Sequence, residues 1–324
     1  MVVVSGMRPT GKLHLGHYLG VIKNWLELQN DENECNFFVA DWHALSTKYE
    51  DNLSLKNLSI ELVKDWIACG IDPQKSTIFV QSEIKEHSEL YMILNMITPV
   101  SWLERNPTYK DLIAQDEFKN KANAGFLTYP VLQTADIILY DADVVPIGED
   151  QEPHLELARE IVRRFHNLFK TDIFKEPKSL LTETSRLAGI DGRKMSKSFN
   201  NAIQLDSSDE EIWQKMRMAK TDTNRIKKTD KGNPDVCVVF DYHKIFSSDE
   251  EIKEIESECR AGTIGCVDCK KRCVSNISKT ITPIREKRAE LTDDFIIDII
   301  KNGNIKAKKR AEDKMQLVNK IILH

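Results

Sequence analysis

The sequence has no apolar run long enough to cross a bilayer, which takes about 20 consecutive apolar residues in a helix. No signal-peptide pattern precedes the first apolar segment, so we predict a cytoplasmic protein without a membrane partner. Internal repeats and low-complexity tracts are also missing, which excludes repeat architectures. The 41% hydrophobic and 30% charged residues are typical of a folded globular chain.

The chain lacks the positive net charge of many nucleic-acid-binding proteins, because 46 Lys and Arg against 51 Asp and Glu give −5. The charge is unevenly spread: residues 1–198 hold 22 basic and 29 acidic side chains, and residues 199–324 hold 24 and 22. Basic clusters lie at residues 225–231 and 306–310. Each cluster is explained equally well by a solvated face or by contact with phosphates.

Short apolar segments alternate with amphipathic helical segments in the first half of the chain, an order typical of βαβ units and a parallel sheet. We predict a Rossmann-like α/β domain over residues 1–198, with a connective insertion at about 82–125 and a loop over 177–194. Beyond residue 198 the pattern is helical, which predicts an all-α domain over residues 199–324. Its last helices are expected at 293–300 and 305–322, with the final one packing on the first domain.

Two short motifs point to chemistry on phosphates. His14-Leu15-Gly16-His17 follow the first strand and a turn, so two imidazoles lie on one face of a helix start. A helix start presents free N–H groups and positive dipole, which suits a phosphate. Lys194-Met195-Ser196-Lys197-Ser198 end the loop of residues 186–198, which is typical of a mobile lid. The histidine pair alone favours a capping or surface role, but together the motifs favour phosphate binding.

These motifs resemble the HIGH and KMSKS signatures of class I aminoacyl-tRNA synthetases. Residues 5–11, 148–151 and 154–157 resemble the bacterial-type tryptophanyl-tRNA synthetases in particular, and the likeness covers nearly the whole chain. The resemblance implies that the chain activates L-tryptophan with ATP, releases pyrophosphate and transfers tryptophan to tRNA(Trp). It also implies that residues 1–198 are catalytic, that residues 199–324 bind the anticodon, and that the insertion forms most of a homodimer interface.

In-line attack on the α-phosphate requires positioning and charge neutralisation more than covalent work by the protein. Chemistry and resemblance together assign His14 and His17 to the α-phosphate region, and Gly16 to the adenine. Lys194 and Lys197 are assigned to the leaving pyrophosphate, and Mg²⁺ is expected with ATP. The other ATP-binding residues implied by the resemblance are Arg8, Thr10, Gly148, Asp150, Met195 and Ser196.

The indole of tryptophan has one donor and no acceptor, so a selective pocket is apolar with a single buried acceptor. Asp136 lies in an apolar helical segment and matches the family's indole-binding aspartate, although a structural pair with a neighbouring cation explains it too. Gln133 and Val4 depart from the commonest bacterial residues, and His43 fits a core role equally well. The resemblance implies that Val4, Val145 and Ile147 line the indole, that Tyr129 and Gln151 hold the α-amino group, and that Met7, His43 and Gln133 complete the pocket.

Five of the seven cysteines follow the spacing C-x21-C-x6-C-x2-C-x3-C, which ends at Cys273. A two-residue gap is favoured by zinc and by iron–sulphur clusters, and plain thiols are the third explanation. The spacing resembles the motif with which a minority of the family holds a 4Fe-4S cluster, although the first gap is one residue shorter here. The resemblance implies Cys237, Cys259, Cys266 and Cys269 as ligands, and Cys273, one turn later, is able to replace Cys269.

Three rival functions share some of these features. A tyrosyl-tRNA synthetase-like enzyme usually pairs an aspartate with a tyrosine near the end of the ring, and no such pair is evident. A small-molecule adenylyltransferase has no need of a helical domain after residue 198. A catalytically silent RNA-binding relative has no need of two intact signatures, and turnover distinguishes it from an enzyme.

Overall fold

The computed structural model describes residues 1–50, 54–114, 123–181, 187–196 and 199–323. The chain divides into two compact units. The first unit comprises Met1–Gly11, Asn24–Glu183 and Thr292–His324, and the second comprises Lys12–Lys23 and Thr184–Leu291. The domain boundary that the sequence predicts at residue 198 stays a prediction.

A parallel sheet organises the first unit. Its five described strands are β1 (Val2–Met7), β2 (Glu34–Val39), β3 (Ser76–Val80), β4 (Val144–Ile147) and β5 (Lys178–Leu181). They lie in the order β3-β2-β1-β4-β5, so β1 has β2 on one side and β4 on the other. Ligands of such sheets bind beyond the carboxyl ends of the strands, where the strand order reverses. The predicted Rossmann-like parallel sheet is confirmed.

β5 lies in the segment that the sequence predicts as a loop, so that part of the prediction is wrong. The strand has only four residues, and in the described sheet it pairs with β4 alone. Three of its four side chains are exposed, so it lacks the apolar run that identifies a buried parallel strand.

Helices connect the strands. A π-helical turn over Tyr18–Ile22 joins the first two helices. Residues 115–122 of the predicted insertion lie outside the described residues. The helices up to β5 are α1 (Leu15–His17), α2 (Lys23–Asn30), α3 (Asp41–Lys48), α4 (Leu55–Cys69), α5 (Glu86–Ile97), α6 (Val100–Glu104), α7 (Pro107–Ile113), α8 (Ala124–Ile138) and α9 (Glu152–Phe169).

Aromatic side chains fill both faces of the sheet. On one face Trp25 stacks on Phe37, with ring centroids 4.2 Å apart, and meets the edge of Trp66. On the other face Phe38 and Phe79 join the apolar residues of α5, α8 and α9. Burying a side chain of this size stabilises the fold by about 1.5–3 kcal/mol, so these layers fix the helices that carry the site.

The second unit is helical. Its helices in the described residues are α10 (Asp209–Arg217), α11 (Val238–Phe246), α12 (Asp249–Ala261) and α13 (Cys266–Glu290). Helix α13 packs on α10 and α11 through Ile277 and Ile281, which are fully buried. The predicted helical C-terminal part is confirmed.

The last helix, α14 (Asp293–Ile322), belongs to the first unit and is continuous over 30 residues. The sequence predicts helices at 293–300 and 305–322, whereas the structure continues the helix through residues 301–304. Gly303 lies against the edge strand: a Cβ there would be 1.7 Å from the carbonyl oxygen of Ile78. Oδ1 of Asn304 accepts from the amide of Val80 at 3.0 Å, so α14 covers the edge of β3. None of the helices in the described ranges is long and apolar enough to span a bilayer.

Candidate active site

The first signature forms a cap and a short helix in the second unit. His14 is the N-cap of α1 in extended conformation, and its amide donates to Nδ1 of His17 at 3.3 Å. The two ring centroids are 3.7 Å apart. The imidazoles therefore form an adjacent pair, as their spacing predicts.

The second signature touches the first within the same unit. The amide of Leu15 donates to the carbonyl of Ile203 at 3.0 Å, which ties α1 to the segment just after the lysine motif. A Cβ placed on Gly16 would lie 3.5 Å from Sδ of Met195, which is buried. The fold thus brings together two motifs that are about 180 residues apart in the chain.

Asn201 fixes the backbone of the second signature at residues 194–196, which we call the lysine loop. This side chain is buried: its Oδ1 accepts from the amide of Ser196 at 2.8 Å, and its Nδ2 donates to the carbonyl of Lys194 at 3.1 Å and to Asp191 at 2.8 Å. The Asn201 bond is the main reason why the pKa of Asp191 is lowered to about 2. The Lys194 side chain is exposed, whereas Lys197 and Ser198, and residues 182–186 with the start of the predicted lid, lie outside the described residues.

The other predicted ATP-binding residues belong to the first unit, at the carboxyl ends of β1 and β4. Arg8 and Thr10 follow β1 and are exposed. A Cβ on Gly148, which follows β4, would lie 2.8 Å from Oδ1 of Asp150, so a side chain there would collide with the carboxylate. Nε2 of Gln151 donates to the other Asp150 oxygen at 3.1 Å. These residues lie at the point where the strand order reverses, as expected for a nucleotide site.

The predicted indole-lining residues share one face of the sheet. Val4, Val145 and Ile147 are buried members of the same apolar core, which includes α8. Met7 and Gln133 are half-buried. Valine at position 4 leaves an aliphatic surface, and Gln133 adds an amide to this region of α8.

Tyr129 and His43 line a cavity of about 570 Å³ with mainly apolar walls, and their ring centroids are 6.4 Å apart. Burial raises the pKa of Tyr129, so its hydroxyl keeps its proton, and that hydroxyl pairs with Nε2 of His154. Burial also lowers the pKa of His154, which favours the neutral imidazole as acceptor. The Tyr129 oxygen then keeps lone pairs for another donor.

Asp136 is 1% exposed and has three partners in the first unit. Nε2 of His43 donates to Oδ2 at 2.8 Å, Nδ1 of His87 donates to Oδ1 at 2.6 Å, and Nε2 of Gln81 reaches both oxygens at 2.8 Å. Burial alone would raise the pKa of Asp136, but the bonds from His43 and His87 outweigh it and lower the pKa to about 2. Asp136 is therefore an ionised acceptor that the protein has already saturated.

Sequence reasoning missed Gln81 and His87, and with them Tyr140, whose hydroxyl lies 2.8 Å from Nε2 of His87. A signal was present, because Gln81 directly follows β3, where side chains at the carboxyl end of a parallel strand face the same crevice. His87 offers no such signal, since a histidine in the first turn of an amphipathic helix is as often exposed as buried.

Four cysteine side chains of the second unit, Cys237, Cys259, Cys266 and Cys269, lie within electrostatic range of one another. Burial, followed by the charges of Cys237, Cys259 and Cys266, raises the pKa of Cys269 to about 12, and Cys237 likewise responds to Cys259 and Cys266. The fifth thiol, Cys273, is fully buried, with Sγ 4.0 Å from the carbonyl oxygen of Val239. Among the described residues, no three His, Cys, Asp or Glu side chains are arranged as ligands of one metal ion.

The fold and the two paired signatures define a class I tRNA synthetase. The family model described as tRNA synthetases class I (W and Y) matches residues 1–282. The tryptophan–tRNA ligase of Thermotoga maritima is 48% identical over 323 residues, which cover 99% of this chain and 98% of that relative. The tryptophan–tRNA ligase of Aquifex aeolicus is 43% identical over 392 aligned residues, which cover 99% of this chain and 99% of that relative. The chain belongs to the tryptophan–tRNA ligase family.

The solved structures agree with this assignment. The crystal structure of tryptophanyl-tRNA synthetase from Campylobacter jejuni, complexed with ADP and tryptophan, has a TM-score of 0.90 to this chain. The two are 34% identical, and each is covered over its full length.

Proposed function

We propose that this chain activates L-tryptophan with ATP and transfers it to the terminal adenosine of tRNA(Trp) in the cytoplasm. Family membership over nearly the whole chain supports this reaction. The structural observation that carries it is the close approach of the two signatures, since a Cβ on Gly16 would lie 3.5 Å from Sδ of Met195. Two imidazoles and the exposed Lys194 thus belong to one compact unit, which suits neutralisation of several phosphates.

The phosphate groups are handled by side chains that position rather than react. His14 and His17 donate to the α-phosphate as the tryptophan carboxylate attacks it, and pyrophosphate leaves with its new charge paired by Lys194. Lys197 shares that role by motif. Mg²⁺ enters with ATP as part of the substrate and neutralises the phosphate oxygens. By motif, the other proposed ATP-binding residues are Arg8, Thr10, Gly148, Asp150, Met195 and Ser196.

Tryptophan is recognised at both of its polar ends. The Asp136 carboxylate accepts from the indole N–H, and the Tyr129 oxygen accepts from the α-ammonium group with help from Gln151. The indole itself lies against apolar side chains. Its proposed neighbours are Val4, Met7, His43, Gln133, Val145 and Ile147.

Amino-acid-dependent exchange between ATP and pyrophosphate tests the reaction and the substrate together. Purified protein with Mg²⁺ is assayed in parallel with tryptophan, tyrosine and phenylalanine, and exchange with tryptophan alone is expected. Exchange with tyrosine alone would assign the pocket to the tyrosyl enzyme. Folded protein without exchange would favour the catalytically silent relative.

A 4Fe-4S cluster held by Cys237, Cys259, Cys266 and Cys269 is the second part of the proposal. Electrostatics support it: the pKa values of Cys237, Cys259 and Cys269 are raised by burial and, in smaller part, by the charges of other members of the set. One zinc ion would need its sulphurs within about 3.8 Å of each other, since Zn–S bonds are about 2.3 Å in a tetrahedron. A cluster binds each thiolate to a different iron and so accepts a wider arrangement. The cluster would crosslink α11, α12 and α13.

Anaerobically purified protein is expected to be brown and to contain iron and acid-labile sulphide. The Cys259→Ser variant should lose the colour, whereas Cys273→Ser should keep it if the fifth thiol is not a ligand. Colourless protein with stoichiometric zinc would refute the cluster, and metal-free protein would leave plain thiols.

The helical residues 199–324 are proposed to bind the anticodon of tRNA(Trp), since this part carries more basic than acidic side chains. A homodimer is proposed as well. Met92 and Met96 lie four residues apart on α5 and are 52% and 76% exposed, which fits an interface better than a solvated face.

A further inference from the structure

Behind Asp136 lies a buried chain of hydrogen bonds that none of the proposed roles uses. His87 and Gln81 are both 0% exposed and donate to the Asp136 carboxylate. The far nitrogen of His87, Nε2, lies 2.8 Å from the Tyr140 hydroxyl. A buried tyrosine, histidine and aspartate therefore form a continuous chain that ends at the proposed indole acceptor.

The protonation of Tyr140 and the charge of Asp136 determine which groups donate in this series of hydrogen bonds. Burial, with the charges of Asp136 and Glu86, raises the pKa of Tyr140 well above its ordinary value, so the hydroxyl keeps its proton. Nδ1 of His87 lies 2.6 Å from Oδ1 of the ionised Asp136 carboxylate and therefore carries a proton. With that tautomer, Nε2 of His87 is the acceptor for the hydroxyl proton of Tyr140.

The two oxygens of Asp136 differ in how their partners are exposed. Oδ1 is held by His87, which solvent does not reach, whereas Oδ2 is held by His43, whose side chain is 12% exposed. Indole brings one N–H donor to a carboxylate whose acceptor sites are already filled. Of the three donors to Asp136, His43 is the one that a ligand can displace.

We propose that His87, held by Tyr140, is a positioning residue for tryptophan recognition: it fixes Asp136 through Oδ1, and the indole N–H replaces His43 at Oδ2. This inference rests on the proposed function. A site built to hydrogen-bond a substrate N–H rejects an analogue that lacks it by up to about 10⁴–10⁵. Such rejection requires a carboxylate that cannot turn towards another donor, and His87 supplies that restraint.

The test compares tryptophan with its benzothiophene analogue, in which sulphur replaces the N–H, in pyrophosphate exchange. For His87→Phe we expect the tryptophan KM to rise roughly tenfold, since bonds to charged groups are the stronger kind, while the ATP KM stays unchanged. The preference for tryptophan over the analogue should fall by a similar factor. His87→Asn keeps a donor near the Nδ1 position and should restore most of that preference, and Tyr140→Phe should lower it severalfold.

His43→Ala tests the division between the two oxygens. Its preference for tryptophan over the analogue should stay at the wild-type level or rise, because Oδ2 is then free. A matched control is His166→Asn, which removes a half-buried histidine whose Nε2 accepts from the amide of Phe174 at 3.2 Å. This control is expected to change stability without changing the preference.

Each outcome decides the matter. Folded His87→Phe with the wild-type preference, or with equal losses for both amino acids, would overturn the inference. If His87→Phe does not fold, an unchanged preference in Tyr140→Phe overturns it instead. A preference in His43→Ala that falls as in His87→Phe would reject the role of Oδ2. Wild-type protein that does not exchange with tryptophan would overturn the proposed function and this inference together.

Discussion

At the scale of single residues, the charge state of Asp136 is decided by its neighbours. An isolated carboxyl in this apolar face would take up a proton, because burial penalises the charged form. His43, His87 and Gln81 supply donors that stabilise the carboxylate instead, and the net effect lowers the pKa to about 2. The ionised state of Asp136 in the structure therefore depends on three side chains that lie far from it in the sequence.

Asp136→Asn should remove an acid-sensitive part of the folding free energy. Since the folded pKa, about 2, lies below the ordinary 3.8, the carboxylate stabilises the fold fully above pH 3.8 and loses this effect as the pH falls towards 2. The loss amounts to on the order of 2 kcal/mol. Urea denaturation at pH 5, 4 and 3 measures it. The stability difference between wild type and Asp136→Asn should shrink as the pH falls, and Asp298→Asn, at an exposed aspartate, is the matched control. The same pH dependence in both variants would count against the role of the Asp136 carboxylate.

At the scale of elements, the position of α14 depends on the absence of a side chain at Gly303, and the backbone of the lysine loop depends on the side chain of Asn201. Helix α14 reaches the edge of β3 only because Gly303 has no Cβ. The lysine loop holds its backbone through the three hydrogen bonds of Asn201. In both cases the structural role of one residue depends on the backbone of another segment, β3 for Gly303 and the lysine loop for Asn201.

Gly303→Ala should destabilise the first unit. The new methyl group would overlap the carbonyl of Ile78, so α14 must move away and give up the bond between Asn304 and Val80. We expect a loss of about 3 kcal/mol in urea denaturation and faster hydrogen exchange at the Val80 amide. Gly20→Ala is the matched control, since nothing lies within 4 Å of a Cβ there. Equal stability of the two variants would contradict the close approach.

Asn201→Ala should slow tryptophan activation while leaving tryptophan affinity unchanged. The variant loosens the backbone of the loop that carries Lys194, and so weakens the stabilisation of departing pyrophosphate. A decrease of roughly tenfold or more in kcat is expected, because positioning of charged groups contributes several kcal/mol to such reactions. Single-turnover adenylate formation and tryptophan fluorescence titration give the two quantities. Asn200→Gly is the control, as its φ of 51° suits glycine; a change in affinity instead of rate would reject this role.

At the scale of the whole molecule, the proposed homodimer depends on apolar surface that a single chain leaves exposed. Met92 and Met96, four residues apart on α5, are 52% and 76% exposed. Scattered exposed apolar residues are normal, but neighbouring ones on one helix face are typical of interfaces.

Met96→Lys should convert a dimer into a monomer. Burying an unpaired ammonium group in an apolar interface costs more than the interface gains there. Sedimentation velocity at micromolar concentration measures the oligomeric state. Leu317→Lys on α14, where leucine is 50% exposed, is the matched control and should leave the assembly intact. A wild-type monomer would end the proposal, and a dimeric Met96→Lys would place the interface elsewhere.

The fold class could be read from the sequence because it depends on local periodicity. Alternating apolar strands and amphipathic helices such as α4 and α9 bury their own faces whatever they pack against. The exceptions are β5 and α14. Strand β5 is too short and too exposed to show a pattern, and in α14 Gly303 allows close packing on β3 within a continuous helix. The two signatures could be recognised from the sequence for a similar reason. Each is a contiguous motif, one with two histidines at a helix start and the other with two lysines in a loop.

The sequence by itself therefore determined the family and the reaction class, and it predicted the side chains proposed to meet the phosphates, because these lie in contiguous motifs. Only the tertiary structure decided how Asp136 is held. Gln81 directly follows β3, His87 lies in the first turn of α5, and Tyr140 lies in the turn after α8. The fold brings these three elements to one point. A hydrogen bond extends over about 3 Å, whereas its partners here are separated by some 50 residues of chain, and no local pattern encodes such a meeting.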